Sequence, residues 1–528
     1  MVTANTIPKV QPALVESLMF RHHMGQISRQ STVFFAGTMF TTVAAYFFKV
    51  YLARVLGAEA LGIYALGMTI VGVLGIFNAL GLPQSAVRFV ALYSATGKLD
   101  QLRSFLWRGT GMLLVSNVLL SAVILLVGPW IAVRFYHTPT LSRYLGLFAL
   151  MMLLGALTTF FGQVLAGYKD VTRRTIITNF IGSPLTMLLT VVLVSVGAGL
   201  RGYIVAQVAS AIVVFLFLLA MVWKLTPGDV ALFSDSSLPS LDPQVLSFSA
   251  AMLGMGILEF LLTQSDKVLI GFYLSAREVG IYAMAAALVG FVPIALQSVN
   301  QIFSPIIADL YARGEREVLG RLFQTLTKWI FGLTLPLATV VIIFARPIMS
   351  IFGHDFESGG PILVIGALGQ LVNCGVGSVG YLLLMSGNQR RLIKVQVTMA
   401  GVMVLLNLLL IPAWVIVGAA VAAATVNIGT NGWNLREVRR SLGFSPYNRS
   451  YIQLVPPLLA LLIATLALKV GLAYVRLQWA VIMLAIAVAY LIFLGVMFGF
   501  GLSADDELIA NAIWSRIRAF NRAAVAAT

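Results

Sequence analysis

Apolar residues run in long, nearly uninterrupted stretches along this chain, without the two-residue alternation of a half-buried strand or the 3.6-residue period of a surface helix. About 20 such residues let one helix cross the hydrocarbon core of a bilayer. Fourteen stretches of that kind lie near 32–56, 61–83, 108–130, 144–166, 175–198, 202–223, 250–274, 279–303, 328–352, 361–385, 392–412, 414–435, 452–473 and 478–501. Charged or Pro- and Gly-containing turns separate them. Helices satisfy every backbone polar group internally, as a spanning segment must. The pattern therefore predicts an all-α integral membrane protein with about 14 transmembrane helices.

Sliding the sequence along itself by 218 residues places Gly62-Ile63-Tyr64-Ala65 on Gly280-Ile281-Tyr282-Ala283, Lys49-Val50 on Lys267-Val268 and Leu92-Tyr93 on Leu310-Tyr311, with fifteen identities in 57 ungapped positions. Six stretches separate equivalent positions. An even number means that both copies cross in the same direction, as parallel repeats related by an axis along the membrane normal. The expected organisation is a cytoplasmic N-terminal segment (1–31), an N-lobe of six helices (32–223), a cytoplasmic linker (224–249) rich in Pro and Asp, a six-helix C-lobe (250–435), two further helices (452–501) and a cytoplasmic tail (502–528). The tail opens on Asp505, Asp506 and Glu507. Leu508, Ile509, Ile513, Ile517 and Phe520 follow at helical spacing, the pattern of a surface-lying amphipathic helix. Two lobes about a central cavity suit alternating access.

Composition agrees. Hydrophobic residues make up 59% of the 528 and charged ones 10%, where soluble domains carry about 25% charged; the mean hydropathy is +0.95. A net charge of +16 would suggest nucleic acid in a soluble protein. In a membrane protein it reads first as topology, because Lys and Arg collect in cytoplasmic loops. With both termini inside, twenty-five of the 35 Lys and Arg fall on inner segments and ten on the outer side. This points to the cytoplasmic membrane, with no nucleic acid partner. Trp107, Trp130, Trp223, Trp329, Trp414, Trp433 and Trp479 fall at stretch ends, where amphipathic rings prefer the headgroup level. The single cysteine, Cys374, sits in an apolar stretch and supports neither an internal disulfide nor a thiolate metal site. His22, His23, His137 and His354 show no ligand spacing. With no catalytic constellation, the expectation is a monomeric transporter without a cofactor.

Leu56-Gly57-Ala58 followed by Gly62-Ile63-Tyr64, with Asp266-Lys267 shortly before the second Gly-Ile-Tyr and fourteen stretches in a duplicated six-helix plan, resembles the polysaccharide transporters of the multidrug/oligosaccharidyl-lipid/polysaccharide exporter superfamily. The resemblance covers most of the chain and carries no short catalytic signature. It implies a flippase that moves an isoprenoid-linked oligosaccharide, such as an O-antigen, capsule or exopolysaccharide repeat unit, from the inner to the outer leaflet, with a glycan polymerase or glycosyltransferase as partners. A multidrug or cation antiporter and a lipid II flippase are alternatives within the superfamily. An integral-membrane glycosyltransferase or polymerase is a third; it would call for catalytic residues on a sizeable outer loop, and the outer loops are short.

Ionisable side chains inside spans are costly, about 2.5 to 3.5 kcal/mol each at a helix centre on insertion scales, so each needs an account. Lys49 and Lys267 are repeat equivalents on the first helix of each lobe. As cavity-lining groups they could hold the pyrophosphate of an isoprenoid-linked substrate; as surface groups they would snorkel to the outer interface. Arg54 and Arg88 flank the first two spans as anchors or further phosphate contacts. Glu259 lies within its span, where a carboxyl is protonated or paired; it is either a site of H+ or Na+ coupling or a packed acid. Asp266 neighbours Lys267 in sequence yet points to a different helix face, so its partner is expected on another helix. Asn78, Asn373, Asn407, Asn427 and Asn431 are polar points within spans, suited to sugar hydroxyls or to interhelical hydrogen bonds.

Overall fold

A computed structural model describes residues 12–226, 242–471 and 478–499, and side chains within them other than those of 12–36, 38, 39, 43 and 478. The described residues are helical, with no strand among them. The tail 502–528, most of the linker including Pro227, Asp229, Asp235 and Pro239, and the side chains of His22 and His23 lie outside them. Residues 12–31, read above as part of a cytoplasmic N-terminal segment, continue as helix into the first span within Pro12–Asn78. Residues 243–249, read as linker, open the helix Pro243–Thr263.

Among the described residues ten helices are long and apolar enough to cross a membrane, eleven when Ala276–Val289 and Ile294–Ala312, bent by 53°, count as one. Three of the ten stretch over two of the expected segments each: Phe40–Asn78, Val171–Leu225 and Gln389–Leu442. Each carries an internal break. The first turns at Gly57, φ 79°; the second at Gly197 and Gly199, φ 89° and 49°; the third at Trp414 and Val415, φ −125° and 53°. At the third break a Cβ on Gly418 would strike the carbonyl of Leu410. Eight residues of straight helix would separate these two by about 12 Å, so the chain reverses there. Several expected spans are themselves interrupted, among them 279–303 and 361–385; 250–274 is not a single helix but Pro243–Thr263 followed by Ser265–Tyr273, with Gln264 at φ −131° between them.

The chain forms two compact units. Met1–Tyr51, Ile70–Trp130 and Leu141–Ile257 make the first; Leu52–Thr69, Ile131–Thr140 and Leu258–Thr528 make the second. In the first, Phe89, Phe105 and Phe160 are fully buried and meet in series, with ring centroids 6.4 and 6.0 Å apart. Ser85 and Ser249 share a hydrogen bond of 2.6 Å beside them in sequence, on the helices Leu82–Thr96 and Pro243–Thr263. In the second, Phe303, Ile307, Phe323 and Leu382 anchor the core. Outward, Leu126, Val196 and Val470 are 81%, 79% and 76% exposed. Large apolar side chains displayed this fully suit a lipid-facing surface, since water-facing monomers keep apolar patches small. The chain is a multi-pass, all-α membrane protein.

Residues 52–69, assigned to the N-lobe by the sequence pattern, cluster with the second unit, and the repeat supplies the reason. A Cβ on Gly62 would collide with the carbonyl oxygen of Ala276, and a Cβ on Gly280 with that of Ala58. Ala58 and Gly62 are the repeat equivalents of Ala276 and Gly280. The contact is thus reciprocal, each copy of the small-xxx-small motif pressing its glycine on the other's alanine carbonyl. The turn before each motif also falls at equivalent positions: Gly57 in the first copy, and Ser275 in the second, where a capping box with Glu278 starts the helix.

Candidate functional site

The interruption at Gln264 gathers the polar groups of the seventh expected span. Helix breaks free backbone groups and recur where membrane helices line binding sites. Lys267 Nζ donates to Gln264 Oε1 at 2.8 Å, and the Lys267 amide donates to Asp266 Oδ1 at 2.7 Å. Asp266 is 6% exposed, and its Oδ2 accepts from the Tyr282 hydroxyl at 2.6 Å. Its partner is therefore on another helix, as the facing argument requires. Tyr282 belongs to the repeated Gly-Ile-Tyr, and the reciprocal glycine crossing fixes the helix that carries it. Asp266 has no acidic counterpart in the first copy, where Phe48 stands at the equivalent position.

The other expected site residues are dispersed. Lys49, half-buried, lies in the first unit, eight residues before the Gly57 turn. Arg88, also of the first unit, is exposed, its guanidinium 5.4 and 5.0 Å from the ring centroids of Phe89 and Phe248. That is cation–π range, and it fixes the helix Leu82–Thr96 to the start of Pro243–Thr263. In the second unit Arg54 donates from Nε to the Ile351 carbonyl at 2.7 Å, close in sequence to the exposed Arg277–Asp355 ion pair of 2.8 Å. Glu259 is exposed one turn before the Gln264 break, and its carbonyl accepts from Thr263 Oγ1 at 2.8 Å.

Two features escaped the sequence pattern. Lys328, the first residue of the expected span 328–352 and one of the charges assigned to the inner side, is 2% exposed within Arg316–Ile343 and donates from Nζ to Gln453 Oε1 at 2.7 Å. Nothing in its local sequence sets it apart from a loop lysine. The second is a cavity of about 510 Å³ inside the second unit, lined by side-chain amides, among them Gln297, Asn300, Gln370, Asn373, Asn431 and Asn434. Here a signal existed: Gln297, Asn300 and Gln301 stand at i, i+3 and i+4, and Asn427, Asn431 and Asn434 at i, i+4 and i+7, which puts each set on one helix face. Among the described residues no three His, Cys, Asp or Glu side chains converge as metal ligands.

The sequence model of a family described as polysaccharide biosynthesis proteins matches residues 51–358. An uncharacterized membrane protein of Methanocaldococcus jannaschii is 21% identical over 399 residues, 71% of this chain and 77% of that protein. Among solved structures the chain resembles the lipid II flippase MurJ in its inward closed conformation, with a TM-score of 0.71 at 14% identity over 89% of this chain and 98% of that one. It also resembles an inward-facing multidrug resistance MATE family transporter of the MOP superfamily, with a TM-score of 0.61 at 15% identity over 75% of this chain and 94% of that one. At such identities the likeness is one of fold, and fold alone does not assign a substrate.

Proposed function

Because this chain belongs to the polysaccharide biosynthesis protein family, whose sequence model matches more than half of it, we propose that it is a flippase carrying an isoprenoid-lipid-linked oligosaccharide across the cytoplasmic membrane by alternating access. The observation that carries the reading is the pairing of that family with a helical membrane fold shared with a lipid II flippase. The fold is also shared with a multidrug transporter; the family match is what favours a glycan cargo over a drug. The proposal places both termini in the cytoplasm and the glycan-polymerising and glycan-assembling enzymes as partners.

Lys267 and its repeat equivalent Lys49 are the cations proposed to meet phosphate, with Arg54 and Arg88 as further basic contacts. The hydrogen bond of Lys267 Nζ is to a neutral amide, Gln264 Oε1. Glu259 and Asp266 are the acids proposed for H+ or Na+ coupling. The test is translocation in proteoliposomes: a polyprenyl diphosphate bearing a fluorescent oligosaccharide should become accessible to an impermeant quencher faster with protein than without it. Equal rates, or the making or breaking of glycosidic bonds by the purified protein, would overturn the reading.

A further inference from the structure

Two helix interruptions meet at the amide-lined cavity. The bend between Val289 and Ile294 contributes Pro293. The helix Gly360–Val376 stops at Gly377, φ 76°, whose missing side chain leaves room for Thr327, and contributes Gly377 and Ser378. Irregular backbone at membrane depth persists where it lines a polar cavity, and two interruptions at one cavity argue for a built site.

The side chains say what it takes. Some amides are already paired: Asn373 Nδ2 donates to Gln370 Oε1 at 2.9 Å and Asn431 Nδ2 to Asn427 Oδ1 at 2.8 Å. Asn300 and Asn434 differ. They are 9% and 4% exposed, and the Oδ1 of each has no hydrogen-bond partner. Those two oxygens are sealed within the protein, so an occupant meets the open edges of the lining amides, which both donate and accept. No ionisable group other than the Tyr381 phenol lines the cavity. A cationic occupant would find no countercharge, and an anionic one no cation. Neutral hydroxyl groups match both requirements, and a volume of about 510 Å³ is in the range of small-ligand sites.

We propose that this cavity is a saccharide subsite, in which uncharged sugar hydroxyls hydrogen-bond to the side-chain amides that line it, Asn300 and Asn434 among them. The proposal rests on the glycan-flippase reading and adds to it where the sugar, as distinct from the phosphate, is held, and that the sugar held there is neutral.

The experiment uses purified full-length protein and three probes: a polyprenyl diphosphate bearing a neutral trisaccharide, the bare polyprenyl diphosphate, and the free trisaccharide. Native mass spectrometry compares the lipids and saturation-transfer NMR reads the free sugar. The sugar-bearing lipid should bind about tenfold more tightly than the bare one, the effect of two neutral hydrogen bonds. The advantage should shrink severalfold in Asn300→Leu and in Asn434→Leu, with bare-lipid affinity unchanged. Saturation transfer to the free trisaccharide should fall in the same variants. Gln297→Ala, at an exposed lining position, gives the same readout if a buried variant fails to fold. Equal affinity for both lipids in the parent, or an advantage that survives every variant, overturns the subsite and leaves the flippase reading standing. Asn300-dependent binding of the free sugar, with neither lipid bound, supports the subsite and overturns the lipid-linked cargo.

Discussion

Tyr282 and Asp266 show how one side chain carries two obligations. The phenol satisfies a carboxyl that is 6% exposed, and the ring belongs to the motif that packs the two repeat copies together. Tyr282→Phe keeps the ring and withdraws the donor. It should destabilise the fold by about 1 to 3 kcal/mol, the cost of stranding a buried acceptor, and lower the thermal midpoint in detergent by several degrees; an unchanged midpoint would show that Asp266 finds another donor. Lys267 is tested differently, because its Nζ donates to a neutral amide. Lys267→Gln should weaken binding of polyprenyl diphosphate while leaving the midpoint within a degree or so, and Arg should partly restore binding as a cation of different geometry. Lys49→Gln, measured separately, should act in the same direction. A lysine that only snorkels would give unaltered affinity.

At the scale of helices, the reciprocal crossing of Ala58–Gly62 with Ala276–Gly280 is decided by the absence of side chains. Each glycine faces a backbone carbonyl, which cannot swing aside as a flexible side chain can. Gly62→Val or Gly280→Leu should therefore force the helices apart and remove the monodisperse peak in size-exclusion chromatography. Gly75 offers the contrast: a Cβ there would meet nothing within 4 Å, its φ is not in the left-handed region, and Gly75→Ala should stabilise by about 0.5 to 1 kcal/mol through helix propensity. Were Gly280→Leu as well behaved as Gly75→Ala in the same chromatography, the crossing would not be a structural requirement. The same scale explains why span seven is interrupted when its repeat equivalent is not: Gln264, Asp266 and Lys267 exchange hydrogen bonds across the break, whereas Tyr46, Phe48 and Lys49 continue an unbroken helix.

For the whole molecule the open quantity is which way each helix runs through the bilayer. The Lys and Arg distribution predicts that Arg174 faces the cytoplasm and Arg143 the outside. Single cysteines at 143 and 174 in a Cys374→Ala background, treated with an impermeant maleimide in intact cells, should label at 143 only. Labelling at 174 would overturn the fourteen-span arrangement. Coupling is also a property of the whole transport cycle. Glu259→Gln should reduce glycolipid translocation driven by an imposed pH or sodium gradient while leaving equilibrium exchange intact, because the amide keeps the shape and cannot change its charge; equal gradient-driven rates in variant and parent would reduce Glu259 to an exposed polar residue beside the Gln264 break.

The sequence by itself determined the class and the repeat. Apolar run length is set by bilayer thickness, so it can be read without knowing any contact, and the offset of 218 residues located the paired motifs, before which the structure then placed equivalent turns at Gly57 and Ser275. It also placed Asp266 against a residue of another helix, since adjacent positions on a helix cannot face each other. Only the tertiary structure decided which helix that was, that 52–69 cluster with the second unit, and that Lys328 is buried beside Gln453. These depend on crossings between segments tens to hundreds of residues apart, which no local period encodes. The amide cavity lies between the two cases. The helical spacing of Gln297, Asn300 and Gln301 marked a polar face, but that face lines a cavity only because the chain breaks at Pro293 and Gly377 and brings Asn434, from a third helix, to the same space.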